Sequence, residues 1–297
     1  MKKLLNTLYV TAGNRYLSLD GENVVVLENQ KEIGRVPLHN LQAIVTFGYT
    51  GASPALMGAC AQRNIDLSFM SGNGRFLARV TGEVKGNVTL RKQQYRISDS
   101  KEESIHIARN FILGKVYNSR WVLERASRDY TMRLDIETIK KKSQFLAQSI
   151  GKIRECESPD ELLGLEGEAA SVYFSVLDEL ILQQKEDFYF HGRNKRPPLD
   201  NVNAMLSFGY SLLAGMCGSA LETVGLDPYV GFFHTDRPGR MSLALDLMEE
   251  FRSVMVDRFV LTLINKKIIK EKHFVRKENE AVIMTDEGRK TFLSAWP

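Results

Sequence analysis

One uncharged segment determines the architecture expected for the second half of the chain: residues 201–221 read NVNAMLSFGYSLLAGMCGSAL. Its length is close to the ~20 residues that cross a bilayer. However, its two asparagines, three serines and three glycines dilute its apolar character. Asp200 is suited to cap a helix at its start, and Gly225 is suited to end it. We therefore expect the central buried helix of a helical domain rather than a membrane span.

Helical periodicity extends over the rest of residues 101–297. Apolar side chains recur at steps of three and four, as at Ile105, Ala108 and Ile112. Residues 158–161, SPDE, have the capping-box pattern in which a serine and a glutamate satisfy the first helical amides. The sequence predicts an all-α domain over this range.

Residues 1–80 contain the short runs typical of β-strands. Asp20-Gly21 is a turn pair between two of these runs, and we expect Glu22 and Asn23 to lengthen the loop. Ser53 followed by Pro54 predicts the start of a helix. The expected strands cover residues 16–19, 24–27, 41–47, 65–70 and 76–80.

Residues 81–100 lack a sustained apolar period and are predicted to link two domains. The predicted fold class is therefore α+β and multidomain. A small β-rich N-terminal domain over residues 1–80 precedes a larger all-α catalytic domain over residues 101–297.

Composition excludes several classes of protein. The chain has 297 residues, of which 43% are hydrophobic and 26% charged, so a soluble globular protein is expected. Its three separated cysteines favour a reducing compartment and supply no zinc-binding pair. Without a signal-peptide pattern, a cytoplasmic protein with no membrane contact is predicted. The chain lacks a P-loop, a G-x-G-x-x-G fingerprint and a G-x-S-x-G elbow, which disfavours nucleotide-driven and serine-hydrolase chemistry.

Positive charge is concentrated in one region. The formal net charge is only +4, but residues 75–154 contain 18 basic and 8 acidic side chains. Such a block suits a surface that binds DNA phosphates. Evenly solvated helices would explain it equally well.

Glu166 is the first candidate site residue. It follows helical spacing with Ala170 and Tyr173, so it shares a face with core-type side chains. A buried carboxylate is costly unless it is protonated, paired with a basic group or bound to a cation. A salt bridge to a basic helix and a metal site are both compatible with this position.

A second candidate is the helix that begins near Met241. It places Asp246, Glu249, Glu250 and Asp257 on one face, with no lysine or arginine in that sector. Like charges at this spacing repel each other, so the face is either solvated or neutralised by a divalent cation.

His234 lies in the loop just before that helix. A loop histidine is commonly structural. An imidazole combined with carboxylates would also suit Mn²⁺ or Mg²⁺, with positions left open for water and phosphate oxygens.

The order of these motifs along the chain resembles that in the Cas1 family, the CRISPR-associated integrases of spacer acquisition. The resemblance rests on Glu166-Gly167, the uncharged helix with Asn203, the sequence GFFH at 231–234 and the sequence LDLMEEFR at 245–252. It covers essentially the whole chain. The sequence YLSLDG at 16–21 is also similar to members that accompany type I-C systems.

The resemblance implies a site and its cofactor. Glu166, His234 and Glu249 correspond to the metal ligands, with Mn²⁺ or Mg²⁺ as the ion. Some relatives have aspartate where this chain has Glu249. Asp246, one helical turn earlier, corresponds to an acidic catalytic position that supports the ligands or joins them.

The resemblance also implies partners. Arg237 and Arg252 correspond to basic positions that hold the target phosphate of double-stranded DNA. Asn203 and Tyr173 are candidates for the surroundings of the site. The β-rich domain would serve in homodimer formation and in contacts with the small Cas2 protein.

Three functions therefore compete. The first is a metal-dependent DNA integrase and endonuclease that joins the 3′-hydroxyls of spacer DNA to the repeat by transesterification. The second is a non-catalytic DNA-binding scaffold, in which the acidic face is only structural. The third is a metal hydrolase acting on a small phosphoester, for which DNA would not compete with substrate.

Overall fold

A computed structural model describes residues 6–72, 74–83, 87–194 and 196–296 of the chain. The chain divides into two compact units, residues 1–85 and 86–297. The first unit is rich in strands and the second is mostly helical. This arrangement confirms the predicted α+β class.

The first sheet is built on a hairpin whose turn is shorter than predicted. Asn23 pairs with Asp20, so only Gly21 and Glu22 form the turn, and the expected lengthening by Asn23 is wrong. Gly21 has a φ of +56°, which glycine adopts without a steric penalty. The strands of this sheet are β2 (Arg15–Asp20), β3 (Asn23–Glu28), β4 (Lys31–Pro37) and β6 (Gly51–Ala52). Their order is β4-β3-β2-β6, and only β2 and β6 pair in parallel.

The second sheet has the order β1-β5-β7-β8. Its strands are β1 (Asn6–Val10), β5 (Leu41–Phe47), β7 (Asp66–Met70) and β8 (Phe76–Val80). The first three run parallel, and β8 is antiparallel to β7. Three of these eight strands, β1, β4 and β6, were not predicted. β4 exposes most of its side chains, so it lacks the apolar alternation that marks a half-buried strand.

A single helix, α1 (Pro54–Arg63), packs between elements of both sheets. The Ser53 hydroxyl accepts a hydrogen bond from the Leu56 amide at 3.2 Å, which confirms the predicted cap. Leu56 is fully buried together with Leu17 and Ile44, so the helix and the strands share one hydrophobic core.

The helical unit begins inside the stretch predicted as a linker. In α2 (Val88–Asp99) the buried side chain is the polar Gln94, and no apolar side chain is fully buried. The Gln94 amide donates hydrogen bonds to the carbonyl oxygens of Asp227 and Val230 at 2.8 and 2.9 Å. Polar contacts therefore hold the buried side of this helix, and for this reason its sequence lacks the apolar period that would have predicted it. The next helices are α3 (Lys101–Asp129), α4 (Ile136–Glu155) and α5 (Pro159–Phe174).

The uncharged segment forms α6 (Asn201–Thr223), as predicted. The Asp200 carboxylate accepts a hydrogen bond from the Asn203 amide at 2.7 Å, and Gly225 follows the helix with a φ of +84°. By length and composition this helix is sufficient to cross a membrane, but 61% of its most apolar window is buried inside the protein. It is the core helix of the second unit.

The remaining elements complete this unit. They are α7 (Ser242–Phe251), a π-helical segment at Arg252–Asp257, α8 (Arg258–Asn265), β9 (Phe274–Arg276), β10 (Val282–Met284) and α9 (Asp286–Ala295). Short 3-10 turns lie at Leu38–Asn40, Asp178–Leu180 and Glu271–His273. The prediction of an all-α domain is wrong at β9 and β10, which pair as an antiparallel hairpin.

Close packing of α6 against the π-helical segment gives a testable stability effect. A Cβ atom at Gly209 would lie 2.6 Å from Cγ1 of Val256, so Gly209→Ala should overpack this contact. We expect the free energy of unfolding to fall by about 1–3 kcal/mol. Gly215→Ala on the same helix is the matched control, because its added methyl meets no atom within 4 Å outside its own helix. Thermal unfolding should separate the two, and equal midpoints would contradict the packing argument.

Candidate active site

Four segments of the helical unit contribute the candidate site. Lys115 comes from α3, Glu166 from α5, His234 from the loop before α7, and Asp246 and Glu249 from α7 itself. These segments meet because helix α3 packs against both α5 and α7.

A glycine permits the close approach of two of these helices. At Gly114 an added Cβ atom would lie 2.8 Å from Cγ of Glu250, so a larger residue would force the Glu250 side chain to shift. Asn118, one turn further along α3, donates a hydrogen bond to the carbonyl oxygen of Glu250 at 2.8 Å. Lys115 is thereby placed against the face of α7 that carries Glu249.

Glu166 and Glu249, here called the carboxylate pair, converge on one ammonium group. Nζ of Lys115 lies 2.6 Å from Oε2 of Glu249 and makes a still shorter ion pair with Oε1 of Glu166. The side chains are 11%, 17% and 5% exposed for Lys115, Glu166 and Glu249, respectively. Two carboxylates from different helices therefore face a single cation position with little solvent screening.

Glu249 is held on its other side by Arg252. Oε1 of Glu249 accepts a hydrogen bond from the Arg252 guanidinium at 2.7 Å. Burial alone would raise the pKa of Glu249, but the charges of Arg252 and Lys115 outweigh it and lower the pKa to about 2. The charge of His234 lowers the pKa of Glu249 further.

Asp246 organises the loop that carries His234. Its carboxylate accepts hydrogen bonds from the backbone amides of Phe232, Phe233 and His234 at 2.7, 3.0 and 2.9 Å. The same carboxylate lies 2.7 Å from Nδ1 of the His234 ring. Gly231 is required beneath it, since a Cβ there would lie 3.0 Å from the Asp246 oxygen and 2.8 Å from the Cβ of Ser242.

A buried polar network continues behind Arg252. The Arg252 guanidinium lies over the ring of Tyr210, 4.4 Å from its centroid, where a cation is attracted to the π face. The Tyr210 hydroxyl makes a short hydrogen bond to Asp257. Burial raises the pKa of Asp257, while the hydroxyls of Tyr210 and Tyr173 and the charge of Arg252 oppose that rise. The network connects the end of the π-helical segment to Glu249.

The acidic face of α7 is therefore neutralised by the protein, and the alternative of a solvated face is wrong for Asp246 and Glu249. Asp246, Glu249 and Asp257 are all buried. Their counter-charges and donors come from α3, α6, the His234 loop and the π-helical segment, which the sequence of α7 alone does not show. Glu250 is only partly buried and lies toward α3.

The other predicted residues have different positions. Arg237 is exposed in the loop, whereas Arg252 is committed to Glu249 and Tyr210. Asn203 is fully buried, where its side chain accepts hydrogen bonds from Arg193 and from the amide of Asn194. Arg252 therefore contacts the site directly, while Asn203 is connected to Tyr210 through Arg193.

The donor set can be compared with what a divalent ion needs. Within the described ranges, no group of three or more His, Cys, Asp or Glu side chains is already gathered at metal-binding distance. The carboxylate pair nevertheless meets at one cation position, and the Asp246 contact to Nδ1 leaves Nε2 of His234 as the ring nitrogen available to a ligand. A carboxylate that orients an imidazole in this way is the usual second layer of a metal site. Oxygen donors with one nitrogen fit Mn²⁺ or Mg²⁺.

Lys115 is the site residue that sequence reasoning missed. It lies 51 positions before Glu166 and belongs to a region with many basic residues, so nothing in its local pattern distinguishes it. The one available signal was the spacing of α3, which places Lys115 on the same face as the buried Ile112 and Val116 rather than on a solvated face.

Comparison with known proteins places this chain in a family. The family model described as "CRISPR associated protein Cas1" matches residues 8–297. The CRISPR-associated endonuclease Cas1 2 of Rhodospirillum rubrum is 51% identical over 300 residues, covering 100% of this chain and 86% of that protein.

Solved structures have the same fold. A Cas1 protein from Thermotoga maritima matches with a TM-score of 0.81 at 26% identity, covering 98% of this chain and 88% of that one. A casposase bound to an integration product matches with a TM-score of 0.80 at 27% identity, covering 98% of this chain and 81% of that one.

Proposed function

Because the chain belongs to the Cas1 family of CRISPR-associated proteins, we propose that it is a divalent-metal-dependent DNA integrase and endonuclease of spacer acquisition. The observation that supports the proposal most strongly is the convergence of Glu166 and Glu249 on one cation position, with His234 held by Asp246 one turn before Glu249 on the same helix. The similar casposase was solved with an integration product, which supports the same chemistry here.

Each of these residues has a distinct role in the proposal. Glu166, Glu249 and Nε2 of His234 hold Mn²⁺ or Mg²⁺. Asp246 is a positioning residue, because both of its oxygens are used to fix the loop and the tautomer of His234. Arg252 keeps Glu249 in place, so of the two predicted phosphate contacts only Arg237 is exposed for DNA.

The reaction needs no covalent bond to the protein. In the proposed step the 3′-hydroxyl of the incoming strand attacks a phosphorus atom of the target. A new phosphodiester bond forms as the attacking hydroxyl releases its proton to solvent, the bond to the leaving 3′-oxygen breaks, and that oxygen takes up a proton from solvent. A bound divalent ion supplies charge stabilisation and orientation at the phosphate. Water in place of the hydroxyl gives strand cleavage.

The partners follow from the same proposal. Double-stranded DNA binds at the basic residues of 75–154, although several of them, including Arg125 and Lys140, are paired with acidic side chains. A homodimer joined through the β-rich unit and assembled with Cas2 would bring two sites to one DNA. The type I-C assignment stays a prediction.

A joining assay tests the proposal. The purified chain, alone and with the Cas2 protein of its locus, is incubated with a short labelled duplex and a supercoiled plasmid that carries the repeat. We expect label to become covalently attached to the plasmid when Mn²⁺ is present, and not when EDTA replaces it. A duplex ending in 3′-deoxynucleotides should give no joining, because it lacks the nucleophile. DNA retention without joining or cleavage under any metal would favour the scaffold function instead.

A further inference from the structure

The contacts of Lys115 carry a further inference, which rests on the metal site of the proposed function. We infer that Lys115 is an internal counter-ion of that site, and that its ammonium and the divalent ion exclude each other from the carboxylate pair. Binding of the ion therefore requires the Lys115 side chain to move.

The geometry gives the first reason. Nζ of Lys115 contacts one oxygen from each member of the pair, at 2.6 Å for Glu249 and closer for Glu166. A divalent ion binds carboxylate oxygens at about 2.0–2.6 Å. An ion held by both glutamates would therefore lie where the ammonium nitrogen now lies, and the two cations cannot share that position.

Electrostatics give the second reason. The three side chains are between 5% and 17% exposed, so solvent screens their charges only slightly. Like charges a few ångströms apart in such surroundings repel strongly. Glu249 also keeps Arg252 on its other oxygen, so its negative charge is already shared between two cations.

The available space gives the third reason. The cavity beside the Lys115 stem, between α3, α5 and the π-helical segment, has a volume of about 10 Å³. This is close to the minimum that holds one water molecule. The ammonium cannot withdraw into it, so it must leave the pair in another direction when an ion binds.

The arrangement has a consequence for the protein without its ion. Two buried carboxylates that face each other without a cation would be strongly destabilising. Lys115 neutralises them and keeps the helices together, at the cost of weakening the apparent affinity for the metal. Removing the lysine should therefore have opposite effects on metal affinity and on metal-free stability.

Titration of the full-length protein with Mn²⁺, followed by the electron paramagnetic resonance signal of the free ion, tests the inference. Lys115→Met keeps the length and most of the volume of the side chain but removes its charge. We expect its Mn²⁺ dissociation constant to be at least tenfold lower than that of the parent chain, and Lys115→Gln should shift in the same direction. Lys140→Met is the matched control, because Lys140 is exposed and pairs with Glu124 at 3.1 Å rather than with a member of the carboxylate pair. Its affinity should be unchanged.

Thermal unfolding provides a second measurement on the same variants. In EDTA, Lys115→Met should unfold at a lower temperature than Lys140→Met, and Mn²⁺ should raise its midpoint more than that of the parent chain. An unchanged or weaker Mn²⁺ affinity in both Lys115 variants would overturn the inference.

A further variant separates this failure from failure of the proposed metal site. Glu166→Gln should abolish Mn²⁺ binding if the site is correct. Lost binding in Glu166→Gln, together with no tightening in Lys115→Met, would contradict only the inference. If Glu166→Gln binds Mn²⁺ as the parent chain does, the ion lies elsewhere, and both the metal site and the inference are wrong.

Discussion

Glu166→Gln should reduce metal-dependent DNA joining by about 10³-fold or more, which corresponds to a loss of about 4 kcal/mol of transition-state stabilisation. The substitution preserves the shape of the side chain but removes one of the two negative charges that meet at the cation position. Because Glu166 belongs to the carboxylate pair and not to the basic surface, retention of duplex DNA should change by less than twofold. Single-turnover joining and a gel-shift assay measure the two quantities.

Glu168→Gln is the matched control for this prediction. Glu168 lies two positions further along α5 and is exposed. Its replacement makes the same chemical change outside the site, and joining should stay at the level of the parent chain. Full joining activity in Glu166→Gln would show that the carboxylate pair does not serve the reaction.

Asp246→Asn should weaken both metal binding and the fold. The carboxylate accepts hydrogen bonds from three backbone amides and contacts the His234 ring, all in a fully buried position. In the asparagine, an NH₂ group replaces one carboxylate oxygen and cannot accept the hydrogen bonds that the backbone amides donate. Each buried N–H group left without an acceptor costs about 1–3 kcal/mol of stability. We expect the midpoint of thermal unfolding to fall by about 5–15 °C. The affinity for Mn²⁺ should fall by about 10–100-fold.

Asp236→Asn in the same loop is its control. Asp236 is exposed and accepts only a long contact of 3.4 Å from the Gly231 amide. Its variant should match the parent chain in thermal midpoint and in Mn²⁺ titration. If Asp246→Asn behaves in the same way, the carboxylate does not orient His234.

The sequence predicted those parts of the fold that depend on contacts between residues close together in the chain, such as the starts of helices. Ser53, Pro54 and Asp200 specify helix starts through contacts within a few residues, and their helices begin where expected. α2 was missed because Gln94, its buried side chain, is polar and is held by the carbonyl oxygens of a distant loop. The β9–β10 hairpin was missed because each of its strands has only three residues.

The acidic residues of the candidate site and His234 were predicted, but Lys115 was not. Glu166, Asp246 and Glu249 stand out because carboxylates that share a helix face conflict with each other or with burial, and His234 because its loop leads into the helix that carries two of them. The groups that resolve the conflict, Lys115 and the aromatic ring of Tyr210, lie on other helices and more than 30 positions away in the chain. Only the packing of α3 and α6 against α7 brings them together, and no spacing rule within α7 encodes that packing.

The position of the bound ion is the most direct test of the proposal that Glu166, His234 and Glu249 bind one metal ion. Crystals grown with Mn²⁺ and measured at the manganese absorption edge should show one strong anomalous peak in each active site. We expect that peak within about 2.0–2.3 Å of a Glu166 oxygen, a Glu249 oxygen and Nε2 of His234, with the Lys115 ammonium displaced. A peak that lacks any of these three ligands, or no peak while Lys115 still bridges the two glutamates, would contradict the proposed site.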